Sequence, residues 1–90
     1  MAQAIVDPLE LRRFAQTLKQ FNENLRDQSN ALAQHLQTLS QTWRDQENQK
    51  FTEEFLQHLR SLQQFAERNQ QHIPYLMRKA DRIEEYLQQR

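Results

Sequence analysis

A chain of 90 residues with no Gly, no Cys and only two Pro is one domain's worth of sequence, too poor in turn-forming residues for a β-rich fold and without disulfides. Lys plus Arg balance Asp plus Glu twelve to twelve, five against five in residues 1–45 and seven against seven in residues 46–90, so no basic stripe suits a nucleic-acid backbone. Strongly negative mean hydropathy, abundant Gln and no apolar run near bilayer length predict a few long helices and no stable membrane insertion. The N-terminus has neither a basic start nor an apolar stretch, so no cleavable signal peptide is expected.

Residues 1–6 are expected to fray. Asp7-Pro8-Leu9-Glu10 then reads as a helix start. Asp7 suits the cap, Pro8 the first helical position, and Glu10 the return contact to the cap amide. From there Leu11, Phe14, Leu18, Phe21, Leu25, Gln28 and Leu32 alternate steps of three and four, a heptad seam. The line continues through Leu36, Leu39 and Trp43. A first helix over about residues 8–41 follows, roughly 50 Å long at about 1.5 Å per residue.

The spacing falters at Ser40-Gln41-Thr42-Trp43-Arg44-Asp45, near the midpoint and at the only Trp. Ser40 and Thr42 compete for backbone hydrogen bonds and favour helix ends. Asp45 suits the cap of a second helix, with Glu47 adding favourable charge to its first turn. An elbow is therefore expected over about residues 42–46.

The second stretch, about residues 47–88, carries two lines. Phe55, Leu59, Leu62, Ala66, Asn69, Ile73, Leu76, Ala80, Ile83 and Leu87 match what one partner helix needs. Phe51, His58, Phe65, His72, Lys79 and Tyr86, spaced by sevens, widen the apolar face toward another neighbour. The first line keeps its phase across Pro74, which predicts a kink near residues 70–74 rather than a break. Folding at the elbow pairs residues whose numbers sum to about 90. Phe21 then falls opposite Asn69, and Gln28 opposite Leu62; the two polar positions either set register or lie solvated at the rim.

The expected fold is an all-α antiparallel two-helix hairpin forming a single domain. Two helices make a thin layer with half of each apolar face uncovered, so dimerisation into a four-helix bundle is the natural remedy. The candidate contact surface is Phe51, Phe55, His58 and Phe65, with Leu56 on the other side; a homodimer or a related hairpin would satisfy it equally.

Chemistry finds little purchase. No Glu-x-x-His pair is present for a dimetal bundle, and Glu54 with His58 makes a poor metal site. His58 and His72 lie on the flanking line, where they could tie assembly to pH near about 6. Glu53-Glu54 and Glu84-Glu85 point in different directions as helix neighbours, and Arg78, Lys79 and Arg82 are offset by Asp81, Glu84 and Glu85. No catalytic residue, cofactor or metal is expected, and balanced charge disfavours a membrane-active hairpin.

The length, the Asp-Pro-x-x-Leu start (Asp7, Pro8, Leu11) and the central Trp43 resemble the WXG-motif proteins, the early secreted antigenic target-like substrates of type VII secretion. The family has Trp-x-Gly where this chain has Trp43-Arg44-Asp45. Asp tolerates a left-handed turn better than most residues, so the elbow should survive the change. The resemblance implies a Trp packed at the helix junction, a dimer and a secretion ATPase as partner. It also implies a C-terminal Tyr-x-x-x-Asp/Glu export signal. Tyr86 is instead followed by Arg90 and Tyr75 by Lys79, so export would depend on a partner's signal. The expected function is a non-enzymatic substrate or effector-partner component of a type VII-like system, cytoplasmic and then secreted. The alternative is a cytoplasmic coiled-coil adaptor or assembly factor unrelated to secretion.

Overall fold

The Asp7 carboxylate opens the first helix by accepting the Leu9 amide at 2.9 Å, and Pro8, which has no amide to satisfy, occupies the first turn. Glu10 turns away from the cap: its Oε2 accepts from Arg13 Nη1 at 2.9 Å, an opposite-charge pair one turn apart that takes the carboxylate the capping box would have used. In the computed structural model, which describes residues 6–88, helix α1 runs Pro8–Ser40 and helix α2 runs Gln46–Gln88. Among the described residues there is no strand. The helices lie antiparallel: Arg12 reaches Asp81 and Glu84, Asn22 reaches Asn69 and Gln70, and Ser40 reaches Asn48. The hairpin measures 69 × 18 × 15 Å.

The line facing the partner helix on α1 differs from the expected one. Leu36, on the expected line, is buried, but the other buried positions are Ala15, Asn22 and Ser29, at steps of seven before it. Phe14 and Phe21 are 58% and 48% exposed, and Gln28 is exposed as well. Leu11, Leu18 and Leu25 belong to both lines and are half-buried. The physical reason is girth. Small side chains on the axis between two helices let the backbones approach, whereas phenyl rings there would hold them apart. The rings are therefore displaced to one flank.

On α2 the buried positions are Leu59, Asn69 and Ala80, all on the expected seam, with Phe55, Ala66, Ile73, Leu76 and Ile83 half-buried beside them. Ala80 is fully covered, and Ala15 on α1 nearly so. Asn69 does not meet Phe21. Its Nδ2 donates to Asn22 Oδ1 at 3.3 Å, and Asn22 Nδ2 donates to Gln70 Oε1 at 3.2 Å. This amide chain satisfies polar groups inside the seam and holds one register, because a slip by one turn would leave them unpaired among apolar neighbours. Of the two polar positions, Asn69 is the register element and Gln28 is solvated.

Helix α2 continues through Pro74. Pro74 has no N–H for the Gln70 carbonyl and is exposed, so water can supply the missing donor. At the open end Arg12 bridges Asp81 and Glu84, the latter at 2.9 Å. The hydrogen bond to Glu84, with help from Asp81, holds this guanidinium above its ordinary range against an opposing desolvation.

Candidate partner-binding face and the elbow that frames it

The elbow, residues 41–45, turns the chain without Gly. Among the described residues no backbone enters the left-handed region, so Asp45 does not make the left-handed turn expected of it. Side chains carry the turn instead. Thr42 Oγ1 donates to the Leu39 carbonyl at 3.2 Å, and Arg44 Nε donates to the Gln41 carbonyl at 2.8 Å. A cation on the last carbonyls also suits the negative end of the helix dipole. Asp45 Oδ1 accepts the Asn48 amide at 3.1 Å, the bond an N-cap makes to the third residue of its helix.

Asn48 is the hub that sequence reasoning missed. Its Nδ2 donates to the Trp43 carbonyl. Its Oδ1 accepts from Thr52 Oγ1 at 2.9 Å and from Ser40 Oγ at 3.3 Å. One half-buried amide thus ties the end of α1, the elbow and the first turn of α2. The available signal was its position: Asn48 lies one heptad before Phe55, on the seam line itself.

Trp43 is half-buried. Its ring lies 5.8 Å from that of Phe51, tilted by 41°, and Phe51 stacks on Phe55 at 5.5 Å and 16°. These three rings close the elbow end of the hairpin. Phe51 is still 42% exposed, so its outer surface continues the face described next.

That face is set by the Phe21–Phe65 contact, centroids 6.5 Å apart and edge-on at 89°. It places the line Phe14, Phe21, Gln28, His35 of α1 beside the line Phe51, His58, Phe65, His72 of α2, on one side of the hairpin. Leu32 and Leu62 stand between them and are 49% and 40% exposed. The opposite side is polar: Arg26, Asn30, Gln63, Glu67 and Gln70 border a groove of about 350 Å³ over Asn22 and Ser29. Of the expected contact residues, Phe51, His58 and Phe65 share the apolar side, and Phe55 is half-buried beneath it. Leu56 lies elsewhere, in a shallow depression with Glu53, Glu54, Gln57 and Arg60.

Among the described residues no three His, Cys, Asp or Glu side chains gather as a metal site, and no helix is long and apolar enough to cross a membrane. What the arrangement offers is a long aromatic and aliphatic surface suited to another helical layer.

No curated protein and no solved structure matches the chain. The family described as "Proteins of 100 residues with WXG" matches residues 3–86, nearly the whole sequence and both helices with the elbow between them. Asp45 at the third motif position accords with the geometry, since that residue caps α2 and Gly is itself an acceptable cap. The chain belongs to the WXG100 family, a family of small helical hairpin proteins associated with type VII secretion.

Proposed function

We propose that this chain is a non-enzymatic substrate or effector-partner component of a type VII-like secretion system, working as a dimer. The observation that carries the reading is the family match over a hairpin with one aromatic face uncovered. Proteins of this family typically form helical hairpin dimers. The face of Phe14, Phe21, Leu32, Leu62 and Phe65 gives this chain the means to do so. The occupant is a second copy or a related hairpin, and the bundle of four helices that results buries what two helices leave in water. A secretion ATPase is the partner for transport, and the protein is made in the cytoplasm and exported with its dimer partner.

Two measurements test this. Light scattering on the purified chain over a dilution series should give twice the chain mass at high concentration, falling on dilution. Expression with the secretion machinery intact, and again with its ATPase disabled, should show the protein outside the cell only in the first case. Retention in the cytosol in both strains would favour the adaptor reading over secretion.

A further inference from the structure

We propose that the polar groove over Asn22 and Ser29 binds a free α-amino acid whose side chain ends in an amide, the class of glutamine. The groove lies on the side of the hairpin away from the aromatic face, so the site stands independently of the dimer reading. Three rungs cross it. The first is the Asn22–Gln70 hydrogen bond at 3.2 Å. One turn nearer the elbow come Arg26 on α1 and Glu67 on α2, and a further turn on come Asn30 and Gln63. Leu25 and Ala66, both half-buried, supply the apolar part of the floor.

Two features of the groove point to a ligand. The first is Ser29, only 3% exposed. Among the described residues its hydroxyl makes no hydrogen bond. None of their side-chain N or O atoms is both sealed from the surface and without a partner. The Ser29 oxygen therefore opens into the groove that the residue lines, a space of about 350 Å³. It offers that space one donor and two lone pairs.

The second feature is the charged rung. Arg26 and Glu67 line the same groove from opposite walls, yet among the described residues they make no ion pair with each other. Glu67 has only Gln at three and four residues to either side, Gln63, Gln64, Gln70 and Gln71, so no cation of its own helix is placed to neutralise it. One cation and one anion thus face a common space, with neutral amides on both flanks.

This pattern selects the ligand. A simple ion is repelled by one wall as it is drawn to the other. A zwitterion satisfies both, its α-carboxylate on the Arg26 guanidinium and its α-ammonium on the Glu67 carboxylate. The side chain then runs toward the elbow, its methylenes over Leu25 and Ala66 and its end between the Ser29 hydroxyl and the Asn30–Gln63 rung. An amide there both donates and accepts, as these neutral groups require. An apolar end would cover them unpaired, which a site built from hydrogen-bonding groups rejects.

The test is an amide-detected NMR titration of the full chain with L-glutamine. Beside it run glutaramic acid, which lacks the ammonium, L-glutaminamide, which lacks the carboxylate, and L-norleucine, which lacks the amide. The expected result is saturating shifts confined to residues 22–30 and 63–70, with a dissociation constant of about 1–10 mM for so small and open a site. Each of the three analogues should bind at least about fivefold more weakly. Arg26→Gln should weaken glutamine by about the same factor and leave L-glutaminamide unchanged. Ser29→Ala should weaken glutamine about fivefold and leave norleucine unchanged, with no fall in melting temperature, because no bond within the hairpin is lost. Shifts that stay proportional to glutamine concentration up to its solubility limit, or that scatter over both helices, overturn the site. Equal affinity for glutaramic acid or L-glutaminamide overturns the zwitterion assignment, and equal affinity for norleucine overturns the amide one. A Ser29→Ala variant that melts lower than the parent shows the hydroxyl serving the hairpin and overturns its role toward a ligand.

Discussion

At the scale of single residues, the elbow shows how a motif Gly can be replaced. Asp45 contributes through its side chain, which accepts the Asn48 amide, and no left-handed backbone is needed. Asp45→Ala should therefore cost about 1 kcal/mol, while Asp45→Gly, which restores the family residue, should cost only a few tenths. Urea denaturation of the two variants checks the order; an Asp45→Gly variant weaker than Asp45→Ala would refute the capping role. Asn48 carries more. Removing its amide strands the Trp43 carbonyl and leaves Ser40 and Thr52 without their acceptor. Asn48→Ala should lose about 1–3 kcal/mol by the same measurement, more than the capping loss at Asp45.

At the scale of elements, the period of the helices was legible and the seam within it was not. Leu59, Asn69 and Ala80 fall on a line readable from α2, because there the large side chains and the buried positions coincide. On α1 they part company. Phe14 and Phe21 are the largest apolar residues of their stretch, and size drew the expected seam one position away from Ala15 and Asn22. Hydrophobic spacing reports which side of a helix is apolar, but close packing of two backbones is decided by the small residues at its centre. Asn48 stayed hidden for a related reason, since a polar residue on the seam shows its partners only once the elbow is built. Pro74 offers an element-scale test. A proline inside a continuous helix forgoes one backbone hydrogen bond and is about 3 kcal/mol worse than Ala there. Pro74→Ala should raise the melting temperature by roughly 12 °C or more, at about 4–8 °C per kcal/mol for a chain of this size. A fall in melting temperature would mean that Pro74 serves packing that an alanine there cannot supply.

At the scale of the whole molecule, two demands compete for the same apolar residues. The hairpin closes largely on small and polar side chains, with Ala15, Asn22, Ser29, Asn69 and Ala80 buried beside only two large ones, Leu36 and Leu59, and so leaves Phe14, Phe21 and Phe65 on the outside. A hairpin of this kind holds its register by amide bonds and its partner by aromatics. The division predicts that the two functions separate by mutation. Phe21→Ser with Phe65→Ser removes one edge-on ring contact within the hairpin, about 0.5–1.5 kcal/mol beyond the area lost, and leaves the amide chain, the Arg12 clamp and the elbow untouched. Helical circular dichroism should persist while light scattering falls to the mass of one chain. The converse pair, Asn22→Leu with Asn69→Leu, should raise the denaturation midpoint by replacing a polar seam with an apolar one, yet loosen alignment. Spin labels at Gln16 and Arg78 would then report a broadened distance distribution instead of a single narrow one. If the serine pair unfolds the hairpin outright, or the leucine pair keeps one sharp distance, register and association are not divided between these two sets of residues.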